Sequence, residues 1–153
     1  MPNIASDIVD AYVFRRINAR VQFLLFLRRP DVPLGNTWQS IHDKIEPGET
    51  AMAAAERALK ERTGLMPVDA YSADYINQFY DHESDTIILA PVFAFTVAPR
   101  ARVQLGEEYA DSAWCDREEA TARLLWAGQR WAVRHIDDVI GMGSDDAEFY
   151  RVR

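Results

Sequence analysis

The segment Asp43-Lys44-Ile45-Glu46-Pro47-Gly48-Glu49-Thr50 and the alanine-rich run behind it leave this chain few choices of structure. Pro47 presets the first central position of a turn, and Gly48 accepts the positive φ that a type II turn needs at the second. Ala51, Ala53, Ala54, Ala55 and Ala58 follow, with no Gly or Pro until Gly64. The spacing therefore predicts a helix over 50–63 that Gly64 stops. Charged residues three and four apart on such a helix share a face. An acidic loop feeding that face is the kind of arrangement that holds a divalent cation against a diphosphate.

The flanking segments predict strands. Ile8–Ile17 and Val21–Leu27, separated by Asn18-Ala19-Arg20, read as a hairpin, and the second of them is apolar on both faces, as in a strand covered from both sides. A short strand over 37–45 enters the Pro-Gly turn. Two more, 71–80 and 86–97, join through Asp81-His82-Glu83-Ser84-Asp85, and a further segment lies near 103–105. Asp116 with Glu119 reads as a capping box for a second helix. Gly128 is expected to interrupt a helical region ending near Ile140, and the polar tail from Gly141 is expected to be either mobile or docked on a neighbour. Strands on both sides of one helix, with a second helix late, imply an α/β chain with a mixed sheet between helices. No repeat or linker divides the 153 residues, which fit one domain with its core at about 5–140 and a tail at 141–153.

Composition narrows the function. The net charge is −7, from 24 acidic against 17 basic residues, and no Lys/Arg cluster interleaved with aromatics appears, which disfavours a nucleic-acid polymer as partner. A small anionic ligand stays open, because a bound metal reverses the local field. Cys115 is alone, which suits a reducing compartment. The N-terminus lacks the basic start and apolar run of a secretion signal. The stretch Thr86–Val97 contains Pro91 and is too short to span a bilayer. The expectation is a cytoplasmic protein with no membrane partner.

From residue 43 to 65 the chain resembles the Nudix hydrolase box in length at every step. Glu49 stands at the box's first glutamate, Arg57 at its arginine, Leu59 at the aliphatic position, Glu61 at the middle glutamate, and Gly64-Leu65 at its close. Glu108, six residues before Trp114, matches a spacing at which many family members place a further metal ligand. Trp38-Gln39-Ser40 resembles the dihydroneopterin triphosphate pyrophosphatase branch. The resemblance implies an α/β/α sandwich with a mixed sheet, Mg²⁺ or Mn²⁺ as cofactor, and hydrolysis of a nucleoside diphosphate linked to another moiety. It also implies a nucleotide or pterin-like phosphate as partner, with a homodimer possible. Three positions depart from the box: Asp43 replaces the opening glycine, Ala58 the glutamate after the arginine, and Arg62 the last glutamate. The latter two are principal metal ligands or the general base in the family. At about 5 Å a guanidinium repels a divalent ion by roughly 2 to 7 kcal/mol for effective dielectrics of about 80 to 20, less if Arg62 swings into water.

Each residue has a bland reading beside the sharp one. Glu49 and Arg57 either serve catalysis or pair to tie loop to helix, and the pairing is favoured. Glu61 is the helix carboxylate best placed for catalysis and metal, yet it also suits pairing with Arg57 or Arg62. Asp43 is either a loop residue tolerant of positive φ or a substitute carboxylate forming a displaced metal site with Glu61 and Glu108. Arg62 is either a solvated helix residue or a permanent cation that binds phosphate in place of the metal. Trp38 and Phe79 are candidates to stack on a base or pterin. His42 borders the loop as a surface histidine or a ligand contact, whereas His82 and His135 have no partner spacing that suggests chemistry. Trp114, Trp126 and Trp131 are expected in the core or on a groove wall. Cys115 lacks the surroundings of the catalytic cysteine in the family's isopentenyl diphosphate isomerase branch, which excludes that reaction. Two functions follow from the resemblance: a slow metal-dependent pyrophosphohydrolase, or a catalytically silent domain that binds a nucleotide or a partner.

Overall fold

The computed structural model describes residues 1–141 and 145–152. Among them, eight strands form one mixed sheet: β1 (Asn3–Ala5), β2 (Ile8–Ile17), β3 (Arg20–Arg28), β4 (Trp38–Gln39), β5 (Ile41–Lys44), β6 (Asp69–Asp81), β7 (Thr86–Thr96) and β8 (Tyr109–Cys115). Helices α1 (Ala51–Thr63), α2 (Arg117–Arg123) and α3 (Ala127–Ile136) complete it, with a π-helical turn at Asp137–Gly141 and a 3-10 turn at Asp145–Tyr150. β7 runs parallel to β1 and β2, and every other pairing is antiparallel.

The β2–β3 hairpin closes on Asn18 and Ala19 with φ of 50° and 61°, the pair of positive values that a tight type I′ loop requires. Beyond Val13 and Leu24 these two strands part. The segment 38–44 fills the gap: Trp38 and Gln39 pair with Leu27 and Phe26, then Ile41–Lys44 pair with Ala11–Ile8. The predicted single strand over 37–45 is therefore two, broken where the chain changes partner at Ser40. Its exit delivers Asp43 and the Pro-Gly turn to the N-terminus of α1.

β2 and β3 are buried on both faces. Val9, Ala11, Val13, Leu24 and Phe26 face α1, which presents Ala54, Ala55, Ala58 and Leu59 to them. Tyr12, Phe14, Phe23 and Leu25 face α3, which presents Ala132, Val133 and Ile136. Alternation along each strand sends neighbours to opposite cores, so a one-residue slip in register would exchange both. The small alanine face lets α1 lie close on the sheet. This is the helix-flanked mixed sheet that the sequence implies.

Several expectations change in the structure. Pro91 lies inside β7 without breaking it, where β6 shifts register between Ser72 and Ile76 and where β7 passes from β1 to β2. A proline at such an irregularity forfeits no ladder bond that a regular strand would need. Residues 103–105 are not a strand; β8 follows them instead. The late helical region breaks at 124–126, not at Gly128, which sits in the first turn of α3. Trp126 and Trp131 are 56% and 59% exposed rather than core residues, and Trp131 walls a shallow groove of about 430 Å³ between α2 and α3. Trp114 packs against the α1-side core with the Arg15 guanidinium 4.2 Å over its ring. Residues 142–144 of the tail lie outside the described residues. The stretch 145–152 docks on β6, where Val152 donates its N–H to Ala70 at 2.8 Å and Arg151 pairs with Asp69. Among the described residues, no helix is long and apolar enough to cross a membrane.

Candidate functional site

The end of β5, the loop before α1 and the C-terminal half of that helix converge on one charged cluster. Thr50 caps α1 by accepting the Ala53 N–H at 3.1 Å, and Gly64 closes it in the left-handed region with φ of 68°. The last carbonyls of a helix have no partner within it. Here Thr63 and Arg62 carbonyls accept the N–H groups of Gln104 and Gly106 at 2.8 and 3.0 Å, which fastens the 101–108 segment across the helix end. Gly106 has no side chain, and a Cβ there would meet the Glu108 carboxylate at 2.9 Å. Glu108 is thus free to fold back toward α1.

It folds onto Arg62. The Arg62 guanidinium donates to Glu108 at 2.5 Å and to Asp43 at 3.0 and 3.2 Å, and it lies 3.4 Å from the hydroxyl of buried Tyr109. Arg57 donates two bonds to Glu49 at 2.8 and 2.9 Å, one to the Lys44 carbonyl at 2.9 Å and one to Glu61 at 3.3 Å, with Asp43 at 3.8 Å. Asp43 therefore bridges the two arginines. The structure brings Asp43, Glu49, Arg57, Glu61, Arg62 and Glu108 into one network, as the sequence grouped them, but every carboxylate in it faces a guanidinium.

Electrostatics follow from these contacts. Hydrogen bonds from Arg57, then the Glu46 N–H, hold the Glu49 carboxyl down at about 2. The same pairing with Glu49 raises Arg57. Burial works against the charge of Arg62, yet the Tyr109 and Asp43 oxygens more than restore it. Arg62 is not the solvated helix residue that the sequence allows, for its side chain is only 22% exposed.

The residues present do not fit a divalent ion at this locus. Such an ion takes several oxygens at about 2.0–2.1 Å in the case of Mg²⁺. Ala58 offers none and is fully buried against the sheet. Arg62 already engages the oxygens of Asp43 and Glu108. Glu61, at 59% side-chain exposure, leans on Arg57. Among the described residues, no three of His, Cys, Asp and Glu converge in a way that would hold a metal.

The two stacking candidates part company. Trp38 packs on the α3-side core beneath the Arg123 guanidinium, 4.7 Å from its ring centroid, and bridges to Leu124. Phe79 is half-exposed, 6.4 Å from the His42 imidazole between centroids. Three residues of the site region went unread in the sequence. Tyr109 stacks on Phe26 at 4.8 Å and seats Arg62. Asp10 is 3% exposed, and it meets His42 Nδ1 at 2.5 Å and Asn77 Nδ2 at 3.1 Å. The signal for Asp10 was a lone carboxylate in the apolar run Ile8–Phe14; Asn77 and Tyr109 had none. Burial alone would lower the His42 imidazolium, but the hydrogen bond and charge of Asp10 outweigh it and raise its pKa. His135 donates its Nε2–H to the Ala73 carbonyl at 2.6 Å, a packing role.

Comparison with known proteins agrees with this architecture. The NUDIX domain family matches residues 7–136. A putative NUDIX hydrolase structure from Listeria monocytogenes superposes with a TM-score of 0.75 at 20% identity, covering 88% of this chain and 93% of that one. The dihydroneopterin triphosphate pyrophosphohydrolase of E. coli gives 0.68 at 21% identity, covering 88% and 96%. A protein named octanoyltransferase from Myxococcus xanthus is 36% identical over 128 residues, which are 82% of this chain but only 35% of that protein. This chain thus spans about a third of the length of that relative. By the span of the match and by the sheet, helix and box positions described above, the chain belongs to the NUDIX domain family.

Proposed function

We propose that this chain is a Nudix domain whose box serves as a fixed ion-pair clamp, and that it binds a nucleotide or pterin-like phosphate without hydrolysing it. The observation that carries the reading is the Arg62 guanidinium seated between Asp43 and Glu108. It fills with a permanent cation the place where the family's reaction needs an exchangeable one. The clamp joins strand β5 at 43, the loop at 49, the helix at 57 and 62, and the segment at 108, so it organises the chain around the site as a bound metal would. Its four carboxylates against two guanidiniums leave a net negative locus. Phosphate oxygens therefore gain nothing at the clamp itself, and the ligand's attraction to this chain comes from its ring. The octanoyltransferase relative supports the same direction, since a stretch similar to this chain stands there within a longer protein whose name is not that of a phosphoanhydride hydrolase.

Hydrolysis is the second reading, favoured by the carboxylates that remain in the network, Asp43 and Glu108 on Arg62 and Glu61 on Arg57. The two separate in one assay. The protein is incubated with Mg²⁺ or Mn²⁺ and a panel of nucleoside diphosphate derivatives together with dihydroneopterin triphosphate. The proposal expects binding that a chelator leaves intact and no release of phosphate or pyrophosphate. Metal-dependent release that Glu61→Gln abolishes would overturn it. The variant Arg62→Glu, alone and with Ala58→Glu, adds the missing oxygens. It is expected to gain Mn²⁺ affinity in calorimetry, with the single variant guarding against failure of the buried Ala58 site to fold.

A further inference from the structure

The longest strand of the sheet, β6, is also an edge. It pairs with β7 on one side, and a register shift between Ser72 and Ile76, with Asp74 at φ of 52°, splits it in two. The tail closes the first part: Val152 donates its N–H to the Ala70 carbonyl at 2.8 Å, and Arg151 bridges to Tyr71. Along the second part, 76–80, no backbone bond reaches the outer side among the described residues. The groups that face outward there follow from β7. Val97 donates to the Phe14 carbonyl at 3.2 Å, so odd-numbered residues of β7 turn their N–H and C=O toward β2 and even-numbered ones toward β6. Pro91, with no N–H to give, falls on the β2 side. Asn77 and Phe79, across from Ala90 and Ile88, therefore bond inward. Ile76, Gln78 and Tyr80 hold their backbone groups toward the open edge.

Such an edge is a template for another strand, and chains commonly blunt it with Lys, Pro or a covering loop. The stretch Ile76-Asn77-Gln78-Phe79-Tyr80 carries neither Lys nor Pro. In a chain of net charge −7 it is uncharged, so two copies meet there with little repulsion. One of its faces adds an apolar strip. Ile76, Gln78 and Tyr80 stand across from Pro91, Leu89 and Ile87, and Ile4 of β1 stands across from Ile87. Ile4, Ile76 and Tyr80 are 71%, 56% and 56% exposed.

We propose that this edge is the contact between two copies of the chain, which pair β6 to β6 antiparallel about a twofold axis at Gln78. Outward-facing residues pair only with outward-facing ones, so the possible registers differ by steps of two residues. Centred on Gln78, Ile76 of each copy lies opposite Tyr80 of the other. At the margins Asp74 comes opposite His82, its complement in charge. The next register in either direction sets Ile76 opposite polar Gln78 or His82 instead. A twofold contact needs a patch that complements itself, and this register supplies one. The contact uses no residue of the ion-pair clamp and holds whatever that site binds.

The test follows the full chain by sedimentation across a concentration series, with amide exchange read at the same concentrations. A reversible dimer of the 17.5 kDa chain is expected. Exchange at 76, 78 and 80 should slow as concentration rises, while exchange at 77 and 79 stays as it was. Gln78→Pro removes the outward N–H of both copies without touching a bond to β7, and is expected to weaken association about tenfold or more. Gln78→Lys and Gln78→Glu each set like charges against one another on the axis and are expected to weaken it several-fold. An equimolar mixture of those two variants should associate more tightly than either alone, a rescue that requires residue 78 to face its own counterpart. Slow exchange retained at 77 and 79 shows that each variant keeps its fold. A native chain that stays monomeric throughout the series overturns the proposal and leaves the edge to a different chain. A dimer that Gln78→Pro and Gln78→Lys leave as tight as the native one overturns it too, because its contact then lies elsewhere.

Discussion

Arg62 decides what the box can do, and its direction is a matter of partners distant in sequence. The sequence shows that a cation replaces a carboxylate at 62 and an alanine another at 58. It does not show whether the guanidinium turns to water or inward, because Glu108 reaches it through a segment with no secondary-structure signature, held by backbone bonds to the end of α1 and to Arg29 and by Ala101 and Val103 on the core. Removing the cation leaves Glu108, 27% exposed, without its guanidinium and Asp43, 18% exposed, with only Arg57 at 3.8 Å. Arg62→Ala is therefore expected to cost about 1–2 kcal/mol after allowance for solvent, a fall in Tm of roughly 2–8 °C by calorimetry. Arg62→Lys, which keeps charge but loses the fork, should fall between. The Glu49–Arg57 pair, in contrast, is the favoured of the two roles that the sequence left these box residues. Because folding depresses the Glu49 carboxyl to about 2, its contribution is full above the ordinary value of 4.5 and is lost as pH falls through about 2. The Tm gap between the native chain and Glu49→Gln should accordingly hold constant above about pH 5 and close toward pH 2.

At the scale of elements, what punctuation marks in the sequence was readable and what partners impose was not. The α1 limits follow from Thr50 and Gly64, and α2 from the Asp116–Glu119 box, which forms reciprocally with bonds of 2.8 and 3.1 Å. The break before α3 carries no Gly or Pro. It arises where Leu124 is drawn into the α3-side core and Arg130 takes the Leu124 and Leu125 carbonyls at 3.2 and 3.1 Å. Strand β8 escaped notice because Asp111 and Ser112 interrupt its apolar pattern, and β1 because three residues are too few to show a period. The caps that were readable are testable. Gly64→Ala imposes a side chain at φ of 68° and presses on Gln104 at 3.2 Å, so a loss of about 1 kcal/mol is expected in denaturant unfolding. Thr50→Ala should cost about as much, through the orphaned Ala53 N–H. If both are neutral, the clamp rather than the caps fixes the ends of α1.

Across the whole molecule, the sheet divides two cores. Ala54, Ala55, Ala58 and Leu59 of α1 cover one side and Ala132, Val133 and Ile136 of α3 the other, and buried aromatics of the strands fill both. The clamp borders the first core, and the polar string of Asp10 opens from the second, so the two faces answer to separate constraints. The second core is also where the tail belongs. Ala147 is 5% exposed within it, Tyr150 packs against it, and Arg151 lies 5.4 Å over the Tyr71 ring. The sequence left this tail either mobile or docked on a neighbour, since only Phe149, Tyr150 and Val152 stand out as apolar among its polar residues. Phe149, 88% exposed, contributes nothing, and the docking comes from the small Ala147 and the strand-like bridge of Arg151 to Tyr71. Ending the chain after Gly141 would uncover Tyr71 and the adjoining core while leaving α1 and the clamp untouched. The expected result is a loss of about 1–3 kcal/mol, or roughly 2–12 °C in Tm, with faster amide exchange at 69–73 and unchanged exchange in α1. Equal acceleration in α1 would mean that the two cores unfold as one and that the sheet does not insulate them.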